Sequence, residues 1–161
     1  MTTAPQAAHL PAFDEHRRDE AGRELQATLV ELIDLSLQGK QAHWNVVGPS
    51  FRPVHEFLDA LVDEYREWYD MVAERLTAIG VAPDGRVATL AATTPLASLP
   101  SGSIPDRIVL SGFDERVGLV ADSIRTRAAQ VGEEDLATQD LLIEILRGLD
   151  KQRWMIHAHL A

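Results

Sequence analysis

Apolar side chains recur every three to four positions over four long stretches of this chain, and clusters of Pro, Gly, Ser and Thr separate the stretches. The first runs roughly from Glu20 to Val46 and stops at Gly48-Pro49, a strong helix-ending pair. The second runs roughly from Pro53 to Ile79, with a proline suited to the first helical turn and Gly80 behind it. Residues 81–103 lose the periodicity, and within them Val87 to Ala92 predicts one short helix. A third long helix is expected roughly from Pro105 to Val131, closed by Gly132, and a fourth roughly from Asp135 to Leu160. Residues 1–19, with Pro5 and Pro11, read as a flexible N-terminal arm, which leaves 20–161 as one domain.

Four helices of about 25 residues are each about 37 Å long. Short first and third connections with a long second one predict an all-α, ferritin-like four-helix bundle whose crossover holds a short helix. A plain up-down bundle needs no such connection.

The second helix carries the informative pattern. On a wheel at about 100° per residue, with His55 at zero, Asp59 falls near 40°, Asp70 near 60°, Asp63 near 80° and Glu74 near 100°. Phe57, Leu58, Leu61, Val62, Tyr65, Trp68, Tyr69, Val72 and Leu76 lie opposite, so the apolar stripe faces the bundle and the acidic sector faces away. None of the six histidines has a Glu three residues before it, so the Glu-x-x-His pairs of an intrabundle di-iron site are absent. His55 and Asp70 are also about 22 Å apart along a helix and cannot hold one metal within one chain. Two antiparallel copies of this helix, related by a two-fold axis near Tyr65, would bring His55 and Asp59 of one to Asp70 and Glu74 of the other. His43, just across the turn, can join the His55 cluster of its own chain. The first helix agrees: Leu25, Leu29, Val30, Leu32, Ile33, Leu35 and Leu37 cover more than half its circumference, which implies burial on two sides. Taken singly these features are bland. A carboxylate row is commonly a solvated face, His55 a cap, and His43 beside Trp44 a satisfied core histidine.

Composition narrows the chemistry. The chain has 161 residues, 45% hydrophobic, and no cysteine, so disulfides and thiolate metal sites are excluded. A metal would need His, Asp and Glu, ligands suited to iron, manganese or zinc. The formal net charge of -10 repels nucleic acid and attracts cations. No apolar run reaches membrane-spanning length, and the N-terminus lacks a signal peptide's basic start and apolar stretch, so a cytoplasmic location is expected.

The segment Lys40-Gln-Ala-His43-Trp44-Asn-Val-Val-Gly48-Pro-Ser-Phe51, then His55, Asp59 and Asp70-Met-Val-Ala-Glu74-Arg75-Leu76, closely resembles the signature of the Dps family, the DNA-binding proteins from starved cells. Asp140-Leu-Leu and Trp154 extend the resemblance over nearly the whole chain. It implies a homododecamer with tetrahedral symmetry, a ferroxidase that oxidises ferrous iron with hydrogen peroxide at sites shared between two-fold partners, and storage of ferric mineral in the cavity. His43, His55, Asp70 and Glu74 match the family's iron ligands, and Asp59 matches a supporting carboxylate. Trp44 matches a tryptophan beside the site that takes up oxidising equivalents, with core packing as its alternative role. Asp63 and Glu67 are candidates for collecting ferric ions on the inner surface.

The resemblance also implies a three-fold pore lined by acids near the start of the fourth helix, where Glu134, Asp135 and Asp140 are the candidates. The alternative is that these acids only complement the helix dipole. The family's DNA binding commonly uses a basic arm. Here Arg17, Arg18 and Arg23 stand among Asp14, Glu15, Asp19, Glu20 and Glu24, so weak or absent DNA binding is expected. His9 and His16 are weak candidates for an accessory metal site. Two other readings stand beside ferroxidation: a DNA-coating protein with secondary ferroxidase activity, and a helical assembly that only sequesters metal.

Overall fold

The computed structural model describes residues 14–161. Its elements are α1 (Glu15–Asn45), β1 (Val46–Val47), α2 (Phe51–Ala78), α3 (Val87–Thr93), β2 (Ile104–Pro105), α4 (Asp106–Val131), a 3₁₀ turn (Gly132–Asp135) and α5 (Leu136–Leu160). Helix α1 packs along α2 and α4 along α5, and the two hairpins close on each other. This is the four-helix bundle expected from the periodicity, with α3 inside the crossover.

Helix α1 begins five residues before the expected start, so residues 15–19 are helical rather than part of a flexible arm. Asp14 is the reason: its carboxylate accepts from the Arg17 backbone N–H at 3.0 Å, a cap worth about 1 kcal/mol. Residues 1–13, with His9, lie outside the described residues, and His16 is exposed in the first turn of α1.

The core takes Leu25, Leu29, Leu32 and Leu35 from α1, and Leu58, Leu61, Tyr65, Val72 and Leu76 from α2. The apolar stripe of α2 therefore points inward, as the wheel requires. At Gly39 the two helices approach closely, and a Cβ there would lie 2.5 Å from Val62 Cγ2. Among the described residues no buried side-chain nitrogen or oxygen lacks a hydrogen-bond partner. The Tyr65 hydroxyl donates to Gln152 Oε1 at 2.9 Å, and Gln152 Nε2 donates to Glu64 at 2.6 Å. Arg127 of α4 grips buried Glu31 of α1 in a two-pronged pair at 2.5 and 2.7 Å.

The crossover is tied down along its length. Gln26 donates to the Asp84 carbonyl and accepts from the Asp84 N–H, both at 2.9 Å. Arg116 donates to Gln38 at 2.9 Å and to the Ala97 carbonyl at 3.0 Å. Its far end forms a two-residue parallel bridge, with Val46 opposite Ile104 and Val47 opposite Pro105. Among the described residues no helix is long and apolar enough to cross a membrane.

Candidate metal centre

The turn from α1 to α2 sets the geometry. Gly48 sits at φ +136°, a region closed to side chains, and a Cβ there would lie 2.6 Å from the Asp106 carboxylate. That carboxylate takes over the role of the cap. Ser50 makes no side-chain cap bond, and its backbone N–H instead donates to Asp106 Oδ2 at 2.7 Å. The negative charge sits at the positive end of α2, where it is favoured.

His43, near the end of α1, and His55, near the start of α2, meet across this turn. Their rings stack with centroids 3.6 Å apart and planes 22° from parallel. Each ring is held by the other residue's backbone: His43 Nδ1 lies 2.9 Å from the His55 carbonyl, and His55 Nδ1 lies 2.8 Å from the His43 carbonyl. A carbonyl can only accept, so both Nδ1 atoms carry hydrogen and donate. That leaves Nε2 as the other nitrogen of each ring, and a histidine whose Nδ1–H is fixed in this way can present Nε2 to a metal.

Asp59 joins them, one helical turn beyond His55. Its Oδ1 lies 3.2 Å from His43 Nδ1 and 2.6 Å from the Lys40 ammonium. The Lys40 hydrogen bond is the main reason the Asp59 carboxyl stays below the usual carboxylate range. Lys40 had no assigned role in the sequence, although it lies one turn before His43. Phe51 packs near His55 with ring centroids 5.1 Å apart.

Asp70 and Glu74 lie on the same outward face of α2, both exposed, toward its other end. The structure thus brings together His43, His55 and Asp59 and keeps Asp70 and Glu74 apart from them. Among the described residues of one chain, no group of three or more His, Asp or Glu side chains is arranged to hold a metal ion. Trp44 takes no part in the core. It is 69% exposed, with the Lys40 ammonium 5.9 Å from its ring centroid.

The three acids named for a pore part company. Asp135 is buried and serves as the N-cap of α5, accepting from the Thr138 N–H at 3.1 Å, from the Thr138 hydroxyl, and from Arg75 at 2.8 Å. Burial alone would raise its pKa, but these bonds outweigh that and lower it. Its place is the helix-end role weighed against a pore. Glu134 is exposed beside Arg17, 3.3 Å away, and Asp140 is exposed.

Comparison with known proteins agrees with this architecture. The ferritin-like domain family matches residues 23–161. DNA protection during starvation protein 2 of Deinococcus radiodurans is 35% identical over 96% of the chain, which spans 64% of that relative's length. The Dps of Mycobacterium smegmatis, in its tetragonal form, superposes with a TM-score of 0.90 at 31% identity, covering 99% of this chain and 94% of that one. The chain belongs to the Dps family. Another Dps structure, that of Microbacterium arborescens in its high iron form, gives a TM-score of 0.89 at 34% identity, with 95% and 99% covered. Against that Dps background, the locked histidine pair and the outward acidic face of α2 are this chain's own candidates for function.

Proposed function

We propose that this chain is the ferroxidase subunit of a hollow homododecamer. In this reading ferrous iron is oxidised where His43, His55 and Asp59 of one subunit meet Asp70 and Glu74 of its two-fold partner. The observation that carries it is the locked histidine pair. Two imidazoles with Nδ1 committed to backbone carbonyls offer Nε2 to a metal, while the described residues of a single chain supply no complete ligand group. Neutral imidazole and carboxylate oxygen suit ferrous iron and tolerate the ferric product.

Ferrous iron and hydrogen peroxide are the substrates. Two ferrous ions give one electron each to one peroxide, the O–O bond breaks, and two protons complete two waters. Holding the irons as a pair delivers both electrons to the same peroxide, so no hydroxyl radical is released. The chain's part is positional. The stacked rings fix the nitrogens, and Lys40 keeps Asp59 ionised and oriented at 2.6 Å. Ferric product passes into the cavity as mineral, and removal of iron and peroxide protects DNA from oxidative damage. The relative's name, a DNA protection protein, fits that role.

The test is a ferrous titration with peroxide, followed by ultraviolet absorbance of the ferric product, alongside light scattering. A dodecamer that consumes about two ferrous ions per peroxide is expected, with His55→Ala slow. A stable monomer, or ferrous oxidation no faster than in buffer, overturns the reading. Direct DNA coating is not favoured, because affinity for DNA rests on phosphate neutralisation and the chain carries a net charge of -10. Plasmid mobility at physiological salt is expected to be little changed, and a strong shift insensitive to chelator would restore that alternative.

A further inference from the structure

The outward face of α2 has a symmetry of its own. Reversing the helix about the point between Glu64 and Tyr65 exchanges His55 with Glu74, Asp59 with Asp70, and Asp63 with Arg66. On the wheel these six residues fill one sector of about 100°, centred near 50°, and the reversal maps that sector onto itself. A two-fold axis that joins the outer pairs into a metal site therefore sets Asp63 of each copy level with Arg66 of the other, close to the axis.

We infer that Asp63 and Arg66 form a reciprocal ion pair across the two-fold and fix the register of the two α2 helices. The inference rests on the shared-site reading and adds the residues that position it. Within one chain the two side chains are barely engaged: Arg66 Nη1 is 3.5 Å from Asp63 Oδ1, and their side chains are 52% and 76% exposed. Arg66 also borders an open groove of about 500 Å³ lined by Leu37, Lys40, Trp44 and Leu99. Leu37 and Trp44 are large apolar side chains left 56% and 69% exposed there. A second copy of this chain is the occupant that both the charge pattern and the apolar rim fit. Asp63, a candidate for collecting mineral in the sequence, belongs to this interface instead. Register matters because a slide of one helical turn is about 5.4 Å, which would move Asp70 and Glu74 away from the histidines.

The test uses full chains carrying Asp63→Arg or Arg66→Asp. A pair of Asp63→Arg chains sets four cations around the axis, and a pair of Arg66→Asp chains sets four anions. One chain of each kind is complementary. The two are dissociated, mixed in equal amounts and reassembled, and their composition is read by native mass spectrometry. Mixed pairs should rise from the random half to a large majority, so each assembly holds equal numbers of both chains. The double variant Asp63→Arg/Arg66→Asp should assemble alone and oxidise iron at the wild-type rate. Random composition, or helical chains that fail to assemble even when mixed, overturns the inference. If either chain loses helicity by circular dichroism, Asp63→Lys and Arg66→Glu repeat the test with strong helix formers. Random composition in chains whose His43→Ala and Glu74→Ala forms still complement each other removes the ion pair and leaves the shared site standing. Failure of both removes the site.

Discussion

Consider chains carrying His43→Ala and Glu74→Ala, each strongly impaired in ferroxidation alone. Mixed and reassembled, they should recover about a quarter of wild-type activity. Random pairing makes half the dimers mixed. In a mixed dimer one site draws His43 from the Glu74→Ala chain and Glu74 from the His43→Ala chain, so it is whole, while the other carries both lesions. One good site in two, in half the dimers, gives the quarter if sites act independently. The structure supplies a sharper control. His43 and His55 touch at 3.6 Å within one chain, so both must serve the same site. Mixing His43→Ala with His55→Ala should then recover nothing, because each site keeps one lesion. Initial rates of ferric absorbance after ferrous iron and peroxide are the assay, with mixed assembly verified by mass spectrometry. Recovery in the second mixture equal to that in the first, or none in the first, would refute the division of ligands between chains.

Three further outcomes follow from the helix ends. Gly48→Ala should lower stability by about 2 kcal/mol or more, since it places a side chain at φ +136° against the Asp106 carboxylate, and ferroxidation should fall with it; calorimetry and initial rates check both. Asp135→Ala should cost about 1–2 kcal/mol through loss of the α5 cap in denaturant titration. Because the folded Asp135 carboxyl is held below its ordinary value, its contribution is present above about pH 4 and is lost as pH falls through the folded pKa. Asp135→Asn should therefore flatten the acid limb of the stability curve, and an unchanged limb would remove Asp135 from the account.

The helices were legible because their signals are local. The 3.6-residue stripe, Gly48-Pro49, Gly80 and Gly132 all act on neighbours in sequence, and α2, α3 and α4 start and stop within about two residues of expectation. The wheel of α2 also placed the acidic sector on the outer face, because burial of one face dictates the other. What escaped was long-range or unpatterned. Asp106 capping Ser50 joins residues 56 apart, and nothing around Asp106 marks it as a partner of that turn. The Val46–Ile104 bridge is similarly invisible to periodicity. Lys40 lay inside a recognised motif, yet its spacing to Asp59 acquires meaning only when α1 and α2 are set side by side. The early start of α1 escaped because residues 15–19 are all charged or His and show no apolar stripe, although Asp14 is a favoured cap.

The stitching of the first turn to the far end of the crossover bears on the order in which the molecule folds. Helices α1 and α2 are neighbours in sequence and can pair early, since local contacts cost little chain entropy. The turn between them is held by Asp106 and by the bridge to Ile104, and closing that 56-residue loop costs on the order of 3–4 kcal/mol. An early α1–α2 hairpin therefore carries both histidines without the clasp that sets their turn. In the proposed site the histidine nitrogens reach their places only when α4 docks, so a half-made chain carries the proposed ligands before the turn that positions them is closed.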